Sequence, residues 1–421
     1  MRLLLDNIHQ LVTNKGVVAK DGIGVTWDDL GLVDDAAVLI ENDRIVYAGS
    51  ADQCPNDGID QRLDAGGAVA LPGLIDPHTH PCWVGSRHGE FAMRAEGKSY
   101  LEISAAGGGI RASMQHCRQA SLDELTAACT ANLARMFALG VTAVEAKSGY
   151  ALNVDGELRM LRAIQQATER TDQQVVSTFL GAHAIPPEFD GDSEGYVNLI
   201  IHEMLPAVVE EKLATFCDVF VEEGFFNLEQ GRRILQAAAE AGLQPKLHAD
   251  EFAPLGGAQL AAELGAASAD HLMAIDDDGV RALADAGVTA VLLPATTLFL
   301  GESTYAPARK LLDAGCRVAL STDFNPGSSY TENLLLVFTL ACTNLQMSVP
   351  EALAGITYNA ARALSLHEQT GALLPGRRAD LALFAVPETA AIPYHLAMSD
   401  CRWIIAGGTP YRAPSNTAKR I

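Results

Sequence analysis

The chain has 421 residues, 48% of them hydrophobic, enough for a large core and a second, smaller unit, which excludes extensive disorder. With 30 Lys and Arg against 52 Asp and Glu its net charge is −22, which argues against nucleic acid and anionic membranes as partners and obliges an anionic substrate to find a local cation. No apolar run approaches the roughly 20 residues that span a bilayer, and the eight cysteines include no Cys-x-x-Cys pair, so neither a disulfide framework nor a thiolate zinc site is expected.

Met1 to Asn7 is strand-like, contains Asp6 and lacks the basic flank and long apolar core of a secretory signal, so a cytoplasmic location is expected. Residues 1–70 read as short strands and turns, as in Asp43-Arg44-Ile45-Val46-Tyr47-Ala48-Gly49. The apolar run from Ala68 to Asp76 then leads into His78-Thr79-His80. On an extended strand, positions i and i+2 share a face, so both imidazoles would leave the strand tip together. Neutral imidazole suits zinc and iron; two packed histidines without a metal are the plain alternative, which the rest of the chain must decide.

From Leu74 onward short strands alternate with helices. The expected strands are Leu74–His80, Val141–Lys147, Gln174–His183, Cys217–Glu222, Gln244–Ala249, Ala267–His271, Val288–Pro294 and Arg317–Thr322. Gly107-Gly108-Gly109 falls in a long connection, as a lid or as a plain flexible loop. Ser121 and Glu124 form a capping box before a helix that Gly140 closes, and a helix opening at Asn227 shows apolar Ile234, Leu235 and Ala238 before Gly242 stops it. Eight such units fit an α/β fold of the (β/α)8, TIM-like barrel type over residues 71–365, better than an open doubly wound sheet. Residues 366–421 return to short strands such as Ala379-Asp380-Leu381-Ala382-Leu383-Phe384, and are expected to join residues 1–70 in one small β-sandwich domain.

Barrel enzymes place their sites at the C-terminal strand ends. Five of the eleven histidines fall there: His78 and His80 after the first strand, His183 after the third, His248 after the fifth and His271 after the sixth. Asp323 follows the eighth strand, and Lys147 and Tyr150 follow the second. Satisfied core histidines would not gather on one rim. His78, His80, His248 and Asp323 are therefore the expected ligands of one divalent metal per chain, zinc or iron, with a position left for a water whose pKa the metal lowers to about 7. Glu251, three residues past His248, is placed to exchange a proton, or to orient His248 instead. His271 would donate to a carbonyl or its oxyanion, or act as a fifth ligand, and Asp323 doubles as a proton acceptor. Arg87 is the best anchor for a carboxylate, an ordinary solvated arginine being its alternative. Tyr150, Asn325, Gly327 and Ser328 lie on rim loops, where turn chemistry alone would also explain Asn325-Pro326-Gly327.

The chain resembles the amidohydrolase superfamily through Pro72-Gly73-Leu74-Ile75-Asp76-Pro77-His78-Thr79-His80 and Ser321-Thr322-Asp323. It resembles the imidazolonepropionase family of histidine degradation more narrowly. The narrower marks are Gly85-Ser86-Arg87 with Glu90-Phe91, Ala106-Gly107-Gly108-Gly109-Ile110, Lys147-Ser148-Gly149-Tyr150, Phe179-Leu180-Gly181-Ala182-His183, Lys246-Leu247-His248-Ala249-Asp250-Glu251-Phe252 and Phe324-Asn325-Pro326-Gly327-Ser328-Ser329. The resemblance implies hydrolysis of the ring C–N bond of 4-imidazolone-5-propanoate to N-formimidoyl-L-glutamate. It implies Arg87, Tyr150 and His183 on the substrate, Glu251 and Ser328 near the ring, and Asn325 and Gly327 against the product. Ala151 and Phe324 depart from the family pattern, beside matched positions.

The rival reading is a metal-dependent deaminase of a nucleobase-like heterocycle, which needs no carboxylate anchor. A binuclear hydrolase is disfavoured because Cys217–Glu222 offers no lysine to bridge two metals, and a metal-free binding scaffold predicts missing ligands, of which there are none. The expected partner is a small anionic heterocycle, with no nucleic acid and no membrane; a homodimer is left open.

Overall fold

The computed structural model describes residues 1–98, 102 and 108–414. Strands β1 (Arg2–Val12), β2 (Leu32–Glu41), β3 (Arg44–Ser50) and β4 (Gln61–Pro72) open the chain. Eight strands follow: β5 (Leu74–Asp76), β6 (Val141–Lys147), β7 (Gln174–Ala182), β8 (Phe216–Val221), β9 (Gln244–Ala249), β10 (Ser268–His271), β11 (Thr289–Leu292) and β12 (Val318–Leu320). They pair in parallel in chain order, with helices between them, as a (β/α)8 barrel. Strands β13 (Leu381–Phe384), β14 (Cys401–Ala406) and β15 (Thr409–Arg412) join the first four in a second sheet of order β15-β14-β13-β4-β1-β2-β3. The sandwich expected from the chain ends is realised as this one seven-stranded mixed sheet. Alternation along β1 divides its faces: Leu3 and Leu5 pack with Val38, Ile40 and Leu381, whereas Leu4 meets Leu39 on the other side.

β6 and β9 have the bounds expected from sequence; the first barrel strand does not. Its ladder stops at Asp76 rather than His80, because Pro77 has no N–H to offer. Beyond it the main chain is pinned from both sides: Lys147 N–H donates to Thr79 O at 3.0 Å and His80 N–H to Phe324 O at 3.0 Å. The two histidines thus sit on an extended segment spanning the barrel mouth. Gly73, between β4 and β5, is required sterically, since a Cβ there would lie 2.1 Å from Thr142 Oγ1. β5 and β12 are the two ends of the barrel sheet, and side chains join them. Asp76 accepts from the Ser321 hydroxyl, from Thr322 Oγ1 at 2.6 Å and from Thr322 N–H at 3.1 Å.

The barrel interior also holds charge. Lys147 Nζ lies 3.0 Å from Glu145 Oε1 and 2.6 Å from Asp218 Oδ2. Lys246 Nζ lies 2.6 Å from Glu145 Oε2 and 2.8 Å from Pro77 O. Burial opposes the Lys147 ammonium, and Asp218 and Glu145 overcome it, holding its pKa above the ordinary lysine value.

The helix Leu122–Ala138 has its expected cap: Ser121 Oγ accepts from Glu124 N–H at 3.2 Å, and Glu124 Oε2 accepts from Ser121 N–H at 2.9 Å. Ser121→Ala should cost about 1 kcal/mol of stability with kcat unchanged; an unshifted denaturant midpoint would contradict the cap's role. Asn227 caps Leu228–Glu240 in the same way. Gly107 lies outside the described residues, whereas Gly109, at φ 82°, precedes the helix Ile110–Gln119. No helix among the described residues is long and apolar enough to cross a membrane.

Candidate active site

The C-terminal ends of the barrel strands surround a cavity of about 420 Å3. His80 and His248 line it, His78 is fully buried beside them, and the three ring centroids lie 4.4 to 5.7 Å apart. Asp323 Oδ1 lies 3.5 Å from Nε2 of both His78 and His80, while its Oδ2 accepts from Thr296 Oγ1 at 2.7 Å. Asp323 adopts φ 53°, a left-handed turn that Asp tolerates better than most side chains.

Two carboxylates fix the imidazoles from behind. Asp270 Oδ2 lies 2.6 Å from His78 Nδ1, and Asp218 Oδ2 lies 3.0 Å from His248 Nδ1. Each carboxylate accepts a hydrogen bond from Nδ1–H, which fixes the proton there and leaves Nε2 a lone pair for a metal. Burial, with Lys147 and His248 adding like charge, holds His78 well below the ordinary histidine pKa, and burial with His248 does the same for His80. Both are neutral near pH 7, as ligands must be. His78 Nε2 and His271 Nε2 are buried without hydrogen-bond partners. Such orphaned atoms carry a cost unless something occupies the space between them. Donor atoms of His78, His80 and Asp323, and again of His78, His248 and His271, fall within 4.8 Å of one another. The donor set fits a divalent cation.

His271 approaches this cluster at 5.2 Å from the His248 ring, and burial pushes its pKa down to about 3. Glu251 Oε1 lies 3.5 Å from His271 Nδ1. Burial, reinforced by Asp323 and Glu222, raises the Glu251 carboxyl well above the ordinary carboxylate range, which favours its protonated form as a proton donor. Since Asp218 orients His248, that alternative for Glu251 is unnecessary.

The remaining expected residues line the walls. His183 stacks on His80 at 5.2 Å, with its Nδ1 2.9 Å from Gly149 O, and the Tyr150 ring lies 5.8 Å from that of His80. Arg87, Asn325, Gly327 and Ser328 line the same cavity. Asn325 Oδ1 accepts from the N–H groups of Gly327 and Ser328, both at 2.8 Å, and its Nδ2 donates to Asp323 O at 2.6 Å, so the side chain shapes its own loop. Lys147 corrects an expectation: it ends β6 but points into the barrel, because positions 145 and 147 share one strand face. Phe324 packs against Trp83 at 5.0 Å, and neither it nor Ala151 lines the cavity.

Sequence reasoning missed Asp218, Asp270 and Thr296, and named Glu90 only within a family mark, with no role. For Asp218 there was a signal: it is a lone carboxylate inside an apolar strand, a position that requires a partner, whereas Asp270 sits beside His271 in a short polar strand.

Comparison with known proteins places these residues in a family. The model of the amidohydrolase family matches residues 69–410. The chain is 44% identical over 407 residues to an imidazolonepropionase of Bacillus velezensis, covering 96% of each chain. It is 45% identical over 411 residues to one of Geobacillus kaustophilus, covering 96% of this chain and 97% of the other. Among solved structures, a mutant atrazine chlorohydrolase of Arthrobacter aurescens complexed with zinc and atraton superposes with a TM-score of 0.71 at 18% identity, covering 97% of this chain and 94% of that one. A zinc-bound adenosine deaminase of Xanthomonas campestris gives 0.69 at 17% identity, covering 99% and 94%. At those identities the structural likeness speaks to the fold alone.

Proposed function

This chain belongs to the amidohydrolase family, in its imidazolonepropionase branch, and from that membership we infer that it hydrolyses 4-imidazolone-5-propanoate to N-formimidoyl-L-glutamate. One observation carries the inference to the site: His80, His248 and Asp323, which with the buried His78 offer donor atoms suited to a cation, line the same cavity as Arg87. A propionate at Arg87 sets its ring over the histidines.

Those four side chains would hold a divalent ion, zinc or ferrous iron, which would supply Lewis acidity and a water of lowered pKa. The chain's own residues do the rest. Arg87 takes the carboxylate, with Tyr150, His183 and Ser328 holding the ring's polar atoms, and the backbone of Gly327 and the Asn325 loop hold the product. His271, neutral at working pH, donates its N–H to the ring carbonyl oxygen as negative charge develops there. Asp323 accepts the proton of the attacking water, and Glu251 delivers one to the departing ring nitrogen. The water oxygen ends on the former carbonyl carbon, the C–N bond opens, and the protons are conserved. The cytoplasm is the compartment proposed, since the scattered cysteines are free thiols, most of them buried.

Purified protein should hold about one metal per chain and convert freshly prepared imidazolonepropionate to formimidoylglutamate without releasing ammonia. Metal near one equivalent with no turnover would remove the substrate assignment, and ammonia release from a nucleobase would favour a deaminase. Arg87→Ala should raise KM for the propionate about 10- to 100-fold, the worth of hydrogen bonds to a charged group. An unchanged KM in steady-state kinetics would take the anchor away from Arg87.

A further inference from the structure

We propose that Glu90 is a positioning residue for substrate recognition: it holds Arg87 so that one chosen edge of the guanidinium faces the cavity. The proposal rests on the reading of Arg87 as carboxylate anchor. Arg87 Nε donates to Glu90 Oε1 at 2.9 Å and Arg87 Nη2 to Glu90 Oε2 at 2.8 Å, a two-point pairing between the start and first turn of the helix His88–Ala95. Glu90 Oε1 also accepts from Gly109 N–H at 3.0 Å, and Gly109 lines the same cavity. Glu90 is only 7% exposed, so it is no solvated helix acid.

The geometry has a chemical consequence. Of the five guanidinium N–H donors, Glu90 consumes the Nε–H and one on Nη2. What remains is the end-on edge, Nη1 with the other Nη2 hydrogen, two parallel donors matched to one carboxylate. Nη1 lies against Gly327, where a Cβ would fall 2.1 Å away, so a side chain at 327 would displace the guanidinium. Without Glu90, Arg87 would be a mobile cation in a cavity that also contains Asp323 and Glu251, and would pair with them in the space the substrate needs.

Glu90→Ala should therefore raise KM for imidazolonepropionate about tenfold, the cost of immobilising one long side chain on binding, with a smaller change in kcat. In an Arg87→Ala background the same substitution should shift KM less than about twofold, because the two residues act as one unit. With the ring analogue carrying an ethyl group in place of the propionate, wild type and Glu90→Ala should have equal KM. Glu90→Gln, which keeps an acceptor for Gly109 N–H, serves if the alanine variant does not fold. An unchanged KM, additive effects with Arg87→Ala, or equal losses on the propionate and the ethyl analogue would each overturn the proposal. Failure of the underlying reading looks different: Arg87→Ala alone would leave KM for the propionate unmoved.

Discussion

Replacing Asp323 by asparagine is expected to lower kcat/KM by about 10^3-fold or more while leaving the fold intact. The side chain is divided between two tasks, Oδ2 holding Thr296 and Oδ1 facing His78 and His80. Asparagine has the same shape and tolerates the left-handed backbone at this position. With its oxygen kept on Thr296, its amide hydrogens must point at the two Nε2 lone pairs, occupying the donors that a cation needs and abolishing the proton acceptor. Steady-state kinetics and elemental analysis should show lost turnover together with metal well below one equivalent. A variant retaining more than a tenth of wild-type activity would remove Asp323 from the chemistry.

Lys147→Met should destabilise the protein by about 3–5 kcal/mol, the cost of leaving buried carboxylates uncompensated. Lys147 is fully buried and contacts Glu145 and Asp218 within 3.0 Å. Methionine fills much of the volume but neutralises neither carboxylate. Lys246 still reaches Glu145, whereas Asp218 is left with His248 alone. His248 would then face an ill-held carboxylate, so weaker metal retention should accompany the stability loss. Denaturant titration measures the first effect; a loss below about 1 kcal/mol would mean the interior charges contribute little.

The barrel was legible because its strands are short apolar runs ending in polar residues, and because Ser121, Asn227, Gly140 and Gly242 punctuate the helices between them. The same pattern located the histidines and Asp323, since strand tips converge in this fold whatever their separation in sequence. What stayed hidden depends on contacts between distant segments. Glu90 looks like any acidic residue in a first helical turn until Gly109 and Arg87 are seen to meet on it. Thr296 carries no motif, and its importance lies entirely in the oxygen it meets across 27 positions. Lys147 was misplaced because a strand end was equated with a cavity wall, although its period-two partner Glu145 already argued for the inside.

The side-chain closure between β5 and β12 has a consequence for how the molecule loosens. His78 and His80 stand on one bank of that joint and Asp323 on the other. An ion gripped from both banks would work as a rivet, its binding energy adding to the cohesion of the cylinder along the joint between its first and last strands. Loss of such an ion and parting of the joint would then be one event seen from two sides.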